Sequence, residues 1–238
     1  MRFLPCLFAI LVLTMPAAAE TPSSPKHRVT LYFLGAGLTG EVGMAGWSTD
    51  IDLSLSEILE NLDFGFMGAY RFHQDSWSVG TDVIYLGLGS KNERPGTAQT
   101  ELTIDQWMVE LSGGYRVRPF LTLLGGGHYN SLSNRVTSTA TSREINATEN
   151  WIDPFLGGWL TLTPGSGWVV HLRADAGGFG MGSDFAWQVM PAVEWMAVER
   201  VSVLLAYRVI GIDYENEDNG FKYDVVISGP ALGLSGRF

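Results

Sequence analysis

The chain has 238 residues, 46% of them hydrophobic, and carries 25 acidic against 15 basic side chains for a formal charge of −10. That balance excludes nucleic acid as a partner and excludes docking on an anionic membrane surface through a basic patch. A single cysteine, Cys6, leaves no disulfide and no cysteine metal site.

In chain order, residues 1–19 read as a cleavable secretory signal peptide. Arg2 supplies the positive start, Phe3 to Leu13 an apolar run too short to span a bilayer, and Ala17-Ala18-Ala19 the small-residue cleavage site. Cys6 lies inside that peptide, and loss of Arg2 leaves 14 basic against 25 acidic residues, or −11. Residues 20–27, rich in Pro and Ser, read as a flexible leader, and 28–238 as one domain. The first strand is expected from Arg28 to Thr39, where Leu31 and Phe33 alternate with equally apolar neighbours and neither face is marked as outward. The one helical signal, Ser54 to Leu62, sets Leu55, Ile58, Leu59 and Leu62 on one side, with Ser54 and Glu57 spaced as a capping box. It is expected to pack on its own scaffold in the first long loop, or else to act as a partial plug.

From Asp63 onward the period is two. Phe64, Phe66, Tyr70 and Phe72 alternate with Asp63 and Arg71; Trp77, Val79 and Val83 with Asp82; Trp107, Val109 and Leu111 with Glu110 and Arg116. Leu121, Leu123 and Tyr129 then oppose His128, and Ser131 to Asn150 reads as a long polar loop. Beyond a strand starting near Trp151, Trp168, Val170 and Leu172 oppose His171, Arg173 and Asp175. Trp187, Val193 and Trp195 oppose Gln188 and Glu194; Val201, Val203, Leu205 and Tyr207 oppose Ser202 and Arg208. The last stretch sets Leu232, Leu234 and Phe238 against Ala231, Gly233 and Arg237. Short turns near Gln74, Arg118, Pro164 and Glu199 alternate with long connections near Ser54, Arg94, Thr141 and Glu217; the short connection at Gly180 to Asp184 breaks the rule.

This pattern predicts an all-β fold, a single closed antiparallel transmembrane β-barrel of about ten strands (eight is the alternative), with one short helix and both termini at the short-turn, periplasmic end. The apolar face is expected to meet outer-membrane lipids, with Trp77, Trp168, Trp187, Trp195 and Tyr207 in interfacial girdles. The other face is expected to form a lumenal charge network of Asp82, Glu110, Arg116, His128, His171, Arg173, Asp175, Glu194, Arg208 and Arg237, because charges in a narrow lumen must pair or cost several kcal/mol each. Those inward charges speak against a conduit for apolar ligands. The histidine spacing supports no metal site, and no cofactor is expected.

The functional expectation is a monomeric, non-enzymatic barrel of the cell outer membrane, structural, surface-exposed or at most a narrow conduit. The alternative is a lipid-modifying enzyme of deacylase or phospholipase type on the same barrel. His128 and Ser131 are its local candidates, yet three residues apart on a strand they point to opposite faces; His171 and Asp175 share a face but stand about 13 Å apart.

Several phrases carry a resemblance: Trp77 with Asp82 and Tyr85; Asp153-Pro154 with Gly157; Gly177-Gly178-Phe179-Gly180 with Gly182-Ser183-Asp184 and Trp187; Tyr207-Arg208; Gly220-Phe221 with Tyr223-Asp224; and Ser228-Gly229-Pro230 with Gly233-Leu234. Together they resemble small proteobacterial outer-membrane barrels of the OmpA-like and OmpW-like kind. The resemblance implies the fold and the compartment and no catalytic residues; His128 stands where that group tends to carry Arg. It further implies that the terminal Phe238 is the assembly signal read by the barrel assembly machinery during biogenesis.

Overall fold

The computed structural model describes residues 26–44, 47–92, 100–138, 143–165 and 167–238; the predicted signal peptide and most of the predicted leader lie outside them. Its elements are β1 (Lys26–Leu34), β2 (Gly37–Met44), β3 (Trp47–Leu53), α1 (Leu55–Glu60), β4 (Leu62–Gln74), β5 (Trp77–Asn92), β6 (Thr100–Arg118), β7 (Leu121–Ser138), β8 (Arg143–Gly165), β9 (Trp168–Gly177), β10 (Phe185–Val198), β11 (Val201–Asn216) and β12 (Phe221–Arg237). Strands β4 to β12 pair with their neighbours in sequence, and β1 joins β4 on one side and β12 on the other. The result is a closed ring of ten antiparallel strands, with β2 and β3 as two extra strands. Closure leaves the ring no free edge up to the Leu31–Gly68 pair; above it β3 and the upper part of β4 do not pair with each other.

The first strand is where the structure departs from the expected Arg28–Thr39 run. β1 takes in Lys26 and His27, pairs with the lower half of β12 from Arg28–Arg237 to Leu34–Ala231, and breaks at Gly35 and Ala36. β2 then resumes along the upper half of β12, from Ser228 to Lys222, and turns back as β3. The break sits opposite Gly229 and Pro230. A Cβ on Gly229 would stand 2.1 Å from the Gly35 carbonyl oxygen, so only glycine lets the two backbones approach. On its other side β1 leaves β4 after the Leu31–Gly68 pair. The Leu34 amide, which would have continued that ladder, donates instead to the Met67 thioether at 3.1 Å.

β3 pairs only with β2, and Asp50 and Asp52 on this edge blunt it against further pairing. α1 follows with the expected capping box: the Ser54 side chain accepts from the Glu57 amide while the Ser54 amide donates to the Glu57 carboxylate at 2.8 Å. Leu55 packs over Gly35. The chain ends on a clamp in which His27 and Phe238 exchange backbone hydrogen bonds of 2.9 and 3.1 Å and stack their rings 5.4 Å apart.

One end of the barrel carries the short turns and both ends of the described chain; the other carries the hairpins. Strands β5 to β8 run 16 to 23 residues, well beyond the ~9–11 needed to cross a bilayer. The expected loop from Ser131 to Asn150 is therefore mostly strand, the hairpin ends of β7 and β8 pairing from Ser131–Asn150 to Ser138–Arg143.

Polarity also inverts with height. Toward the turn end, Leu111, Leu156 and Leu234 point outward at 64%, 69% and 61% exposure, while Ser202, Arg208 and Ser235 are buried inside. Toward the hairpin end the outward positions are Asp213, Glu215, Lys222 and Asp224, and the inward ones are Ile212, Tyr214, Phe221, Tyr223 and Val225. Trp151 and Leu132 complete that inner cluster, with Trp151 stacked on Tyr214 at 4.1 Å. The inward charges expected from the sequence occupy the lower lumen, beside an apolar cluster that includes Ala192, Ala206 and Ala231; the upper lumen is an apolar core like that of a soluble protein.

Gly229→Val should force β1 and β2 off β12. A cost of about 1–3 kcal/mol is expected from overpacking, read as a lower unfolding temperature and partial loss of the heat-modifiable band on a gel.

Candidate functional site: lumenal charges and the cavity beneath them

Inward-facing side chains from the lower halves of the strands meet at mid-barrel, where period two delivers them from every second position. Three carboxylates organise them. Glu194 on β10, fully buried, receives Arg28 Nη1 at 3.1 Å, Arg237 Nη2, His171 Nε2 at 3.0 Å and the Ser202 hydroxyl. Trp159 Nε1, which can only donate, points at His171 Nδ1 at 3.2 Å, so the imidazole proton sits on Nε2 facing Glu194. Glu110 on β6 takes Arg173 Nη2 at 2.7 Å and His128 Nε2 at 3.3 Å, and Arg173 Nε donates to Asp175 at 2.9 Å. Asp82 on β5 accepts from Arg208 Nη1 at 2.8 Å and from the Tyr32 hydroxyl at 2.6 Å; Arg208 Nε reaches Gln188 at 3.1 Å.

Nine of the ten residues that the sequence assigns to the lumenal network thus meet as direct partners in these three groups. Arg116 belongs to none of these three groups and lines the cavity nearer the turn end. The alternation of β1 hid Arg28 and Tyr32, and Trp159 and Ser202 escaped because an indole and a hydroxyl read as filler. Asp153 was also missed as a hub. It is fully buried and accepts from the Ser183 amide at 2.6 Å, the Ser183 hydroxyl at 2.9 Å, Asn130 at 3.1 Å and Trp151 Nε1 at 3.1 Å. These bonds pin the 178–184 connection onto β8, which explains why it is compact on a side where the other connections are long.

The predicted aromatic positions divide. Trp77 packs with Tyr115 at 4.7 Å and Trp168 with Trp195 at 6.3 Å, all facing outward near the turn end. Trp187 stands outward near the hairpin end of β10, opposite Gly211, and Tyr207 faces outward well inside β11 rather than at a rim. A further outward group near the hairpin end, Phe64, Tyr85 and Trp107, packs with tilted rings at 5.9 and 4.5 Å.

Neither lumenal imidazole touches a serine among the described residues. His128 stacks on Phe155 at 4.3 Å, inside the barrel and facing Glu110, so no pair with Ser131 forms on the outer face. Below the charge layer lies a cavity of about 1060 Å³ that reaches the turn end past Lys26, Pro119, Phe120 and Arg200. Above the layer, the space around Gln188 and Asn130 is only about 30 Å³, the size of one water.

No protein-family model and no curated protein matches the chain. Among solved structures, the outer-membrane protease OmpT from Escherichia coli matches at 14% identity over 93% of this chain and 99% of that one, with a TM-score of 0.53. The fold is that of the outer-membrane β-barrels. The attachment invasion locus protein Ail of Yersinia pestis matches this barrel at 12% identity over 90% of the chain and 98% of Ail, with a TM-score of 0.43. Neisserial surface protein A matches at 10% identity over 92% and 100%, with a TM-score of 0.33.

Removing the shared carboxylate of the Glu194 cluster isolates the rest. Glu194→Ala leaves Arg28 and Arg237 facing each other and should cost about 3–5 kcal/mol, measured by urea unfolding in micelles with tryptophan fluorescence. Arg28→Met, which leaves Arg237 and His171 on Glu194, should cost clearly less.

Proposed function

We propose that the protein is an integral outer-membrane barrel without catalytic activity, sealed to solute passage and presenting its long hairpins at the cell surface. The observation that carries this reading is the inversion of polarity along the strands. An outward band containing Leu111, Leu156, Leu205 and Leu234 exposes far more contiguous apolar surface than a water-soluble monomer carries. That band ends where Asp213, Glu215 and Asp224 turn outward, as a wall leaving hydrocarbon for water must. Barrels of this kind keep short turns in the periplasm and longer connections outside, which puts Lys26 and Phe238 on the periplasmic side.

Sealing follows from the filling. Phe221, Val225, Tyr223 and Trp151 close the upper lumen, and the three ion clusters close the middle. Open aqueous pores come with about sixteen or more strands. The partners on this reading are outer-membrane lipids around a monomer, with Phe238 available to the assembly machinery and residues 1–19 removed on export. Against the lipid-modifying alternative stands the inward placement of His128 and His171, each committed to a carboxylate within the wall.

Reconstituted into planar bilayers in 1 M salt, the protein should show no unitary steps. A double variant, Trp151→Ala with Tyr223→Ala, empties the upper core and should admit small flickering currents; regular steps from the unaltered protein would overturn the sealed reading. On intact cells, added protease should cut within the β5–β6 and β7–β8 hairpins and leave the short turns untouched.

A further inference from the structure

We infer that the cavity below the charge layer is a binding site for a single-chain anionic amphiphile entering from the periplasmic side. The inference takes from the preceding reading only the orientation of the barrel. It begins with Arg71 on β4. This guanidinium reaches across the lumen to lie over Trp159, 4.4 Å from the ring centroid, and the Arg173 guanidinium lies 5.9 Å from the same ring. Arg173 is neutralised by Glu110 and Asp175. Arg71 has neither hydrogen bond nor ion pair among the described residues, although it faces the cavity. Two cations thus share one indole, and only one of them has its counter-ion. A half-buried guanidinium without a counter-ion is suited to an incoming anion, because its planar fork matches a phosphate or a carboxylate.

Two polar atoms of residues lining the same cavity are buried without partners, the Ser78 hydroxyl and Arg237 Nε. Ser78 pairs with His73 and Gly80 with Arg71 in the β4–β5 register, so the hydroxyl stands one inward step from the guanidinium. A side chain on Gly80 would crowd Arg71, its Cβ coming within 3.4 Å of Cζ. The site therefore has an acceptor-hungry end.

A second stretch of its wall, on β10 to β12, is apolar. Ala192 pairs with Ala206 across β10 and β11, and Ala206 with Ala231 across β11 and β12. All three are buried members of one apolar cluster that also line the cavity, with Leu204 and Met190 beside them. Three methyl groups in a row across adjacent strands, about 4.8 Å apart, make a shallow shelf on which an alkyl chain can lie. The volume, about 1060 Å³, is at the upper end of the ~300–1,000 Å³ usual for small-molecule sites. A small inorganic anion would satisfy Arg71 and leave the shelf bare; a neutral lipid would do the reverse. An anionic head with one chain does both.

The full chain in lipid nanodiscs, titrated with dodecyl phosphate and followed by native mass spectrometry and Trp159-sensitive fluorescence, should show one bound molecule per barrel. Arg71→Met should weaken binding at least tenfold with the heat-modifiable band unchanged. Ala192→Leu, which narrows the shelf, should weaken dodecyl phosphate while leaving inorganic phosphate unaffected. Equal affinity for inorganic phosphate would overturn the amphiphile assignment. Equal affinity for dodecyl maltoside, unchanged binding in Arg71→Met, or no adduct would overturn the site. A conductance step would sink the sealed-barrel reading and leave this adduct intact, so the two failures are distinguishable.

Discussion

The backbone's need for hydrogen-bond partners governs this molecule. A chain in hydrocarbon has no water to turn to, so each amide and carbonyl in the wall must find another strand, and a sheet meets that demand only by closing on itself. Ten strands close here through the β1–β12 ladder, with the His27–Phe238 clamp at its end. Once the ring is closed, alternate side chains are divided between two solvents. On the proposed membrane reading, these are hydrocarbon outside and a charged lumen inside at the turn end, and water outside and an apolar core inside at the hairpin end.

The ion clusters meet the second demand of a narrow lumen. Removing a carboxylate from water costs several kcal/mol, and a single counter-charge does not always repay it. Glu194 collects two guanidiniums, an imidazole and a hydroxyl, while Glu110 and Asp82 each join a guanidinium to a second donor. Such clusters tie together strands far apart in the sequence. Arg28 on β1 and Arg237 on β12 grip one carboxylate on β10, beside the line where the ring closes. Arg71 stands outside this accounting, which is why its position is informative.

The ring, the strand number and the inward charges were legible because they rest on one local rule, alternation, that does not depend on distant contacts. Legibility failed where the rule loses contrast. In β1, Tyr32 and Leu34 face in while Leu31 and Phe33 face out, so both faces are apolar and the sequence does not distinguish them. Between Ser131 and Asn150 the strands have left the apolar band, and polar side chains there mark water rather than a loop. The apolar upper core was missed for the same reason: Tyr214, Phe221 and Tyr223 follow the right period, but the solvent outside has changed. Asp153 shows as a hub only through its partners Asn130, Trp151 and Ser183, the last thirty residues further along the chain.

The division of the first strand into β1 and β2 gives the wall a line of weakness. Above Leu31 and Gly68 no backbone ladder joins β1 to β4; the Leu34–Met67 contact and the α1 connection span the interval instead. Gly68 lies six residues from the end of β4, a height of roughly 15 Å at the usual rise and tilt, below the top of a ~25 Å hydrocarbon band. Mechanical or thermal opening therefore starts as an unzipping from this notch toward Lys26, with the β5 to β12 arc still intact.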